Sequence, residues 1–550
     1  MSAASVGTIV ALSRGRWDEV VRMRQGVSLQ GACSAETVLT SSAPSETSSV
    51  VTVSVAATAL RDLRIDGAAR LGLSVRGAGA ELGADGVIVA GVRRAGVLVE
   101  DGARLTASRL AVHDTRSQES DRALGSGLVV ERGASADVAR GLFERNRHVA
   151  ILAGGVGTSL RLEDVVVRDT LSQESDPAFG IGLVVESAAS VDLARALVER
   201  NRAVAVLVLG ADSRVTLDDV VVRDTLSQES DRTSGRGLQM SNGASVRVAR
   251  ALFERNRNAA IIAAGIGTSL RLEDVVVRDT LAQESDGALG RGLEVQGGAS
   301  ADVARALFER NREVAVLALG ADSSVTLDDV VVRDTLSRES DRALGHGLEV
   351  QGGAIADVAR ALFERNREIA VLVSGADSSV TLDDVVVRDT VSQESNGKSG
   401  EGLGAQRGAT AQALRVVVER SREAAVYAAG SGTSVRLEDV VVRDTMPAQC
   451  GDRCDLGAGG MGVASHGAAA LTMSRFLVQR AALCGVQLAL AGELDLSDGE
   501  VRESAIGACV QVPGYRLSRL NASVIYVANG TNLEATDFPV PEVSDPVGGL

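Results

Sequence analysis

Apolar and polar residues alternate in short runs along most of the chain. In the segment 190–199, "SVDLARALVE", the apolar residues Val191, Leu193 and Val198 are separated by small or charged residues. A period of two residues is typical of a β-strand with one buried face, whereas a helix would repeat every 3.6 residues. Glycine-containing corners separate the runs. The pattern predicts about three short strands in each turn of structure, for example 182–186, 190–194 and 196–200.

The runs belong to a tandem repeat. The segment "LEDVVVRDTLSQESD" at 162–176 returns with few changes at 217, 272, 327 and 382, and Asp-Thr pairs recur every 55 residues from Asp114 to Thr445. Within a repeat, two similar halves match with a shift of 24 residues, which places Val191 on Val215. The basic turn is therefore about 24 residues, and every second turn is enlarged by the "LSQESD" segment. Such a repeat without a helical period predicts a β-solenoid with parallel strands.

Charged residues support the 24-residue shift. It places Arg195 over Asp219, Glu199 over Arg223 and Arg200 over Asp224, whereas a shift of 23 would place Arg200 over Arg223. Opposite charges on neighbouring strands stabilise a sheet, and like charges destabilise it. We expect three ladders of alternating charge that hold the register. The same pairing is expected in later repeats, namely Arg250 with Asp274, Glu254 with Arg278, Arg255 with Asp279 and Arg415 with Asp439.

Both ends of the chain resemble a known superfamily. The opening "GTIVALSRGRWDEVVRMRQGVSLQGACSAETVL" and the ending "VIYVANGTNLEATDFPVPE" are similar to the first coils and the closing strand of pectin-lyase-like proteins, in particular bacterial tandem-repeat members. The resemblance runs from about Val6 to Pro541 and implies an all-β fold, a right-handed parallel β-helix (β-solenoid) with 55-residue two-coil repeats. We predict irregular first coils at 1–104, the repeat array at 105–445, and last coils with a tail at 446–550.

Enzymes of this superfamily suggest sites to look for. The resemblance to pectate lyases would imply clustered Asp residues that hold Ca²⁺ and an Arg that acts as base, but here Asp and Arg recur identically in every repeat, which suits a structural role. Polygalacturonase-like hydrolases carry Gly-His-Gly and Asp-Asp motifs, and the chain has Gly345-His346-Gly347 and Asp328-Asp329. However, the Asn-Thr-Asp motif is missing, Lys398 does not belong to an Arg-x-Lys motif, and His113, His148 and His466 offer no metal spacing.

We interpret His346 as a variable corner residue, because other repeats carry different residues at its place, namely Ser126, Ile181, Arg236, Arg291 and Glu401. No catalytic and no cofactor-binding residue is therefore predicted. Asn residues at repeated corners, such as Asn201, are expected to pair buried backbone groups.

The enlarged loops carry a regular set of acids. We expect them to project from one edge at every second coil, roughly 9.6 Å apart at twice the strand spacing. Such a comb could hold Ca²⁺, the one cofactor considered, or follow a polymer of similar pitch, whereas Ser, Gln and Asp are also ordinary turn residues. The acids are Glu119, Asp121, Glu174, Asp176, Glu229, Asp231, Glu284, Asp286, Glu339 and Asp341.

Composition narrows the functional classes. The net charge of -15 argues against nucleic acid as a partner, and no apolar run reaches the roughly 18 residues of a membrane span. The first residues show no secretory signal. Cys450 could pair with Cys454, and Cys484 with Cys509 one turn later, which leaves Cys33. Disulfides would indicate an oxidising compartment, although an intracellular protein with free thiols fits nearly as well.

Three functions remain open at this point. The first is a monomeric, non-enzymatic scaffold or adhesive protein, secreted or at the cell surface, with polysaccharide as its partner. The second is a polysaccharide lyase or hydrolase with its site near Asp452, Asp455 or His466. The third is a calcium-dependent acidic binding array.

Overall fold

The chain consists almost entirely of strands. The computed structural model describes residues 4–41, 49–67, 69–451, 454, 459–538, 540–541 and 543–547. These residues form two compact units: unit 1 comprises Met1–Ala260, Gly267–Leu270 and Gln283–Ser285, and unit 2 comprises Ile261–Ile266, Arg271–Ala282 and Asp286–Leu550. The three-part division predicted from the sequence stays a prediction.

Unit 1 contains two parallel sheets, sheet A and sheet B. The strands of sheet A are Ile9–Leu12, Gly15–Asp18, Ser28–Gly31, Thr37–Thr40, Thr58–Asp66, Glu81–Ala90, Arg104–Ser108, Ala111–His113, Ser135–Ala139, Leu142–Glu144, Ser159–Glu163, Val166–Arg168, Ser190–Glu199, Arg214–Arg223 and Ser245–Glu254. The strands of sheet B are Val21–Arg22, Ser49–Val53, Leu71–Arg76, Ala95–Glu100, Ser126–Glu131, Val149–Gly154, Ile181–Glu186, Val204–Leu209 and Arg236–Ser241.

Unit 2 has the same two kinds of sheet. Its sheet A strands are Ser300–Glu309, Ser324–Asp328, Val331–Arg333, Ile355–Ala359, Leu362–Glu364, Ser379–Asp383, Val386–Arg388, Thr410–Leu414, Val417–Glu419, Ser434–Arg443, Ala470–Gln479, Glu493–Arg502 and Ala522–Val527. Its sheet B strands are Arg291–Gln296, Val314–Leu319, His346–Gln351, Ile369–Ser374, Glu401–Gln406, Ala424–Ala429, Met461–His466, Cys484–Ala489, Ile506–Val510 and Thr531–Glu534. A 3₁₀ helix occupies Leu517–Leu520, and two strands, Ala259–Ala264 and Ser269–Arg278, have residues in both units.

Strand pairing in each unit shows a parallel β-helix. In unit 1, Val191 pairs with Val215 and Val198 with Val222, which confirms the predicted 24-residue shift. The next coil is longer, because Val215 pairs with Val246, 31 residues further on. Each strand is thus followed by a parallel strand one coil later, and such crossovers are almost always right-handed. The predicted all-β solenoid is confirmed.

The predicted division into three strands per coil is wrong for part of the chain. Residues 190–194 and 196–200 do not form separate strands, because a single strand, Ser190–Glu199, runs through both. It bends at Arg195, whose φ is 48°. One left-handed residue turns the chain without ending the strand pairing, and sequence alternation alone does not reveal this.

Small aliphatic side chains fill the interior, with one Phe at the same place in several repeats. Val191, Leu193 and Val198 are buried as predicted. At the corner, the buried Asn201 donates Nδ2–H to the Val167 carbonyl at 3.1 Å and accepts from the Thr170 N–H at 3.2 Å. The predicted role of these Asn residues, pairing buried backbone groups, is confirmed.

The predicted charge columns exist, and the strand pairing places Arg195 level with Asp219 and Arg200 level with Asp224, as predicted. Arg223 donates to Glu199 at 2.7 Å. The hydrogen bonds of the other two Arg residues run to the coil before, from Arg195 to Asp164 at 2.7 Å and from Arg200 to Asp169 at 2.9 Å.

In unit 2 the pairing places Arg415 level with Asp439 as predicted, while Arg415 bonds Asp384 of the coil before at 2.6 Å and Asp439 bonds Arg475 at 2.7 Å. In an alternating column every Arg has an Asp in the coil before and in the coil after. The attraction of opposite charges on neighbouring strands therefore does not decide which Asp each Arg bonds. The predicted pairs that begin with Arg250, Glu254 and Arg255 have one member in each unit and stay predictions.

Candidate functional site

The acids of the enlarged loops all have protein partners. Each Glu lies near an Arg of the same unit, from Glu119 with Arg93 at 2.5 Å to Glu339 with Arg312 at 3.1 Å. The pairs between these two join Glu174 with Arg147, Glu229 with Arg202 and Glu284 with Arg257. These ion pairs fasten each loop to the coil before it.

Each loop Asp accepts a hydrogen bond from the backbone N–H two residues later, which is an Asx turn. Asp121 accepts from Ala123 at 2.9 Å, and the same contact recurs at Asp176, Asp231, Asp286 and Asp341. Across the part of the chain that the structure describes, no group of three or more His, Cys, Asp or Glu side chains could hold a metal ion. Calcium binding by these loops stays a prediction without support from this geometry.

His346 does not lie at a corner. It is the first residue of the strand His346–Gln351, it is fully buried, and the turn before it is made by Gly345, whose φ is 118°. The sequence interpretation placed the corner one residue too late, because the glycine takes the left-handed conformation that the turn requires. His346 therefore occupies a position on sheet B where a side chain contacts other strands.

Two carboxylates surround His346. Its Nδ1 lies 2.9 Å from Glu349, and its Nε2 lies 3.6 Å from Glu368. Burial alone would lower the pKa of His346, but the two carboxylates outweigh it and raise the pKa to about 10. One repeat earlier, the buried Arg291 takes the same place and pairs with Glu294 at 2.9 Å. One repeat later the place is taken by Glu401.

The charged groups of the described residues that shift the pKa of Glu401 are the carboxylates of Glu423 and Glu368. Burial, together with the charges of Glu423 and Glu368, raises the pKa of Glu401 well above its usual value. Burial and like charges both disfavour the ionised form of a carboxyl group. Glu423 itself accepts the Ser399 N–H at 2.6 Å.

A segment near the C-terminus covers these side chains. We call residues 543–547 the C-terminal segment, and the six sheet B side chains beneath it the sheet B groove: His346, Glu349, Gln351, Glu401, Gln406 and Tyr427. Gln406 donates to the Ser544 carbonyl at 2.6 Å and Gln351 donates to the Val547 carbonyl at 2.7 Å. Glu349 accepts the Val547 N–H at 2.7 Å. The groove therefore holds the backbone of an extended segment.

Aromatic rings lie further along the same face. Tyr427 donates its hydroxyl to Gln406 at 3.2 Å, and its ring stacks on His466 with centroids 6.3 Å apart. A Cβ on Gly404 would lie 2.5 Å from the Tyr427 ring, so that only glycine leaves room for it. Burial lowers the pKa of His466 to about 4, so this imidazole is neutral at pH 7.

A cavity of about 280 Å³ opens beside the C-terminal segment. Its walls come from the loops, with Arg338, Asp341 and Asn396, and from the segment itself, with Ser544 and Val547. The cavity thus lies between the loop edge and the C-terminal segment.

Both predicted cysteine pairs form disulfides, Cys450–Cys454 and Cys484–Cys509, and Cys33 is free. The predicted alternative site was placed near Asp452, Asp455 or His466. His466 lies in sheet B as described above, whereas Asp452 and Asp455 lie outside the described residues. No described helix is long and apolar enough to cross a membrane.

Short polar side chains form shallow grooves on sheet A. In unit 1 a groove of about 260 Å³ crosses four neighbouring strands, and in unit 2 one of about 330 Å³ crosses three. We call these side chains the sheet A strip: Arg104, Thr106, Ser135, Asp137, Ser159, Arg161, Ser190 and Asp192 in unit 1, and Thr381, Asp383, Gln412, Arg436 and Glu438 in unit 2. No aromatic side chain lines either groove as described.

The sequence interpretation missed the sheet B groove. A signal was available in the alignment of the repeats, because "GLVVE" at 182–186 becomes "GLEVQ" at 292–296 and 347–351. The change puts Glu at the place of Val184 and Gln at the place of Glu186. The contact with residues 543–547 could not be found in this way, because the segment has no counterpart in the repeat.

The pairing of each strand with its counterpart one coil away makes this chain a parallel β-helix protein, the architecture of the pectin-lyase-like superfamily. No protein-family model matches the chain, and a search of curated proteins finds no match.

Solved structures of low similarity include pectate lyase Pel9A, with 10% identity over 68% of this chain and 71% of that one and a TM-score of 0.25. The PL6 family alginate lyase AlyGC matches with 9% identity over 97% and 98% of the two chains and a TM-score of 0.21. A tailspike protein of an E. coli bacteriophage, in complex with a pentasaccharide, matches with 10% identity over 92% and 73% and a TM-score of 0.25.

Proposed function

We propose that this protein is a non-enzymatic β-helix scaffold that binds polysaccharide along the sheet A strip. The observation that carries the proposal is the groove of about 260 Å³ on unit 1, which is open and lined mainly by polar and charged side chains that recur from coil to coil. Hydroxyl, carboxylate and guanidinium groups recur there at the strand spacing of roughly 4.8 Å. A polymer rich in hydroxyl groups can form hydrogen bonds with such a ladder at every coil.

The charges of the strip favour an uncharged polymer. Asp137, Arg161 and Asp192 occupy the same place in three successive coils, so their charges alternate in sign. A polyanion would meet repulsion at two of these three places. Because no aromatic ring lines the grooves as described, each contact is weak, and affinity would come from many sugar units bound at once.

The proposal places the protein outside the cytoplasm, at the cell surface or secreted. Two disulfides support this location, because disulfides persist in oxidising compartments and are rare in the cytosol.

Retention on insoluble neutral polysaccharides, such as cellulose, chitin and starch, tests the proposal. The triple variant Asp137→Ala, Arg161→Ala, Asp192→Ala should lower retention severalfold, because it removes the charged donors and acceptors of three coils. The control Val156→Ser changes a turn residue that is 81% exposed and lies outside the strip, and it should bind like the wild type. If the wild type is not retained on any of these polymers, the proposal fails.

One observation favours a second candidate, a polysaccharide hydrolase or lyase. His346 and Glu401 combine burial with strongly raised pKa values in one groove, which is a frequent property of catalytic groups. New reducing or unsaturated ends, produced from a panel of neutral and acidic polysaccharides and lost in Glu401→Gln, would establish this function in place of the first. No cleavage across the panel would exclude it for those polymers.

A further inference from the structure

We propose that the sheet B groove is a binding site for an extended peptide, and that the C-terminal segment fills it as an intramolecular ligand. This inference does not depend on polysaccharide binding, because it concerns a different face of the protein.

The groove recognises the peptide backbone at both ends of the segment. At one end Gln406 holds the Ser544 carbonyl, and at the other end Gln351 and Glu349 hold the carbonyl and the N–H of Val547. Hydrogen bonds to main-chain groups are the general means by which proteins bind extended peptides. The contacts are therefore those of a peptide site rather than of side chains that meet by chance.

The repeat of the β-helix matches the repeat of an extended chain. Gln351 and Gln406 occupy the same place two coils apart, so they are separated by roughly 9.6 Å at twice the strand spacing. The two carbonyls that they bind are three residues apart, and three extended residues span about 10 Å. Glutamine side chains two coils apart are thus spaced to bind backbone carbonyls three residues apart in an extended peptide.

Two side chains of the segment act as anchors. Ser544 and Val547 are 2% and 3% exposed, whereas the side chain of Asp545 between them is 90% exposed. The Ser544 hydroxyl lies 3.3 Å from Glu401, and Val547 packs against Val314, Leu317 and Leu344. The site therefore selects a small hydroxyl residue followed, three positions later, by an aliphatic residue.

The fit leaves two buried polar atoms without a hydrogen bond. Within the described residues, Glu401 Oε1 and His346 Nε2 are buried without a hydrogen bond, and the cavity of about 280 Å³ adjoins the segment. Buried polar groups of this kind carry a cost of about 1–3 kcal/mol in other proteins. The segment is thus an incomplete ligand, and the exposed residues 535–537 before it would let it leave and be exchanged.

Peptide exchange in the full chain tests the proposal. A protease site is inserted between Ala535 and Thr536, the chain is cut, and a labelled peptide of residues 538–550 is added. A second sample is the uncut variant Val547→Asp, in which the C-terminal segment binds the groove more weakly and the backbone stays intact. Circular dichroism checks that both samples keep the wild-type strand content.

We expect the cut chain and the Val547→Asp chain to take up the labelled peptide, and the uncut wild type to take up much less, because its own segment competes at high effective concentration. Unlabelled peptides with Ser544→Glu or Val547→Asp should compete at least about tenfold more weakly than the wild-type peptide, as expected for buried anchors. The control peptide with Asp545→Asn should compete like the wild type. If neither folded sample takes up the peptide, or if the anchor substitutions compete as well as Asp545→Asn, the inference is wrong.

Discussion

Two strands of sheet B in unit 1, Ser126–Glu131 and Ile181–Glu186, carry valine at a place that is acidic in two strands of unit 2, Arg291–Gln296 and His346–Gln351. In unit 1, Val129 and Val184 are buried, and Phe179 of an enlarged loop packs against the apolar cluster that contains Val184. At the equivalent place in unit 2, Glu294 and Glu349 stand where the valines are. The strand pairing and the interior are alike in both units. The difference teaches that this repeat tolerates a change of chemistry on the outer face, provided that partners for the polar groups are supplied.

The largest expected effect comes from moving the unit 2 residue into unit 1. Val184→Glu would bury a carboxylate that lacks the His346 and the C-terminal segment of its counterpart. An uncompensated buried charge costs about 3–5 kcal/mol. We expect the free energy of unfolding, measured in urea, to fall by this amount, and hydrogen exchange to become faster in Ile181–Glu186.

Val184→Ala serves as the control, because it removes only apolar surface and should cost about 2 kcal/mol. A Val184→Glu variant no less stable than Val184→Ala would show that the apolar face opens easily to water.

The second prediction removes one charge from the polar face. Glu349→Gln keeps the shape and can still accept the Val547 N–H, but it takes the negative partner away from His346. A hydrogen bond between charged groups contributes about 1.5–3 kcal/mol, so we expect a loss of about 2 kcal/mol at pH 7 in urea unfolding. A cost below that of an exposed substitution such as Val156→Ser would show that the ion pair contributes nothing.

The same variant has a defined pH dependence. The pKa of His346 is raised to about 10 in the folded chain, against 6.5 for an ordinary histidine. Its contribution to stability is therefore fully present below pH 6.5 and is lost as pH rises from 6.5 towards 10. Unfolding curves at pH 6, 8 and 10 should converge for wild type and Glu349→Gln as pH rises. A constant difference across this range would contradict the assignment of the shift to Glu349.

The third prediction concerns the space beside Tyr427. Gly404→Ala places a Cβ 2.5 Å from the Tyr427 ring, so the ring must move. This movement disturbs the hydrogen bond from the Tyr427 hydroxyl to Gln406. Overpacking of this kind costs about 1–3 kcal/mol in thermal or urea unfolding. The control is Gly83→Ala in unit 1, whose Cβ would meet only the Thr58 carbonyl, at 3.8 Å. Equal stability of the two variants would mean that the Tyr427 ring is not held in place.

Sequence patterns predicted the interior and the register, but not the groove. Val191 and Val198 could be matched to Val215 and Val222 because a buried face forces alternation and the same residues recur. Arg195 was misread because a left-handed corner leaves no trace in hydrophobic alternation. His346 was misread because Gly345 makes the turn, and its surroundings could not be predicted because Glu368, and the Val547 that bonds its partner Glu349, come from another coil and from the end of the chain. Such long-range contacts are not encoded in a repeat period.

The smallest expected effect tests what the two units share, the left-handed Arg corner. Arg200 in unit 1 and Arg310 in unit 2 have φ values of 51°, and each bonds an Asp of the coil before, at 2.9 Å and 2.7 Å. Replacement by Ala removes the ion pair and keeps the backbone strain, whereas replacement by Gly removes both. Because the left-handed conformation costs a residue with a Cβ roughly 1 kcal/mol more than glycine, Arg→Gly should be more stable than Arg→Ala by about this amount at either corner. Urea unfolding of the four variants measures it. If the Gly and Ala variants differ in stability in one unit only, the corner is strained differently in the two units. The difference between the units would then extend beyond the outer face of sheet B.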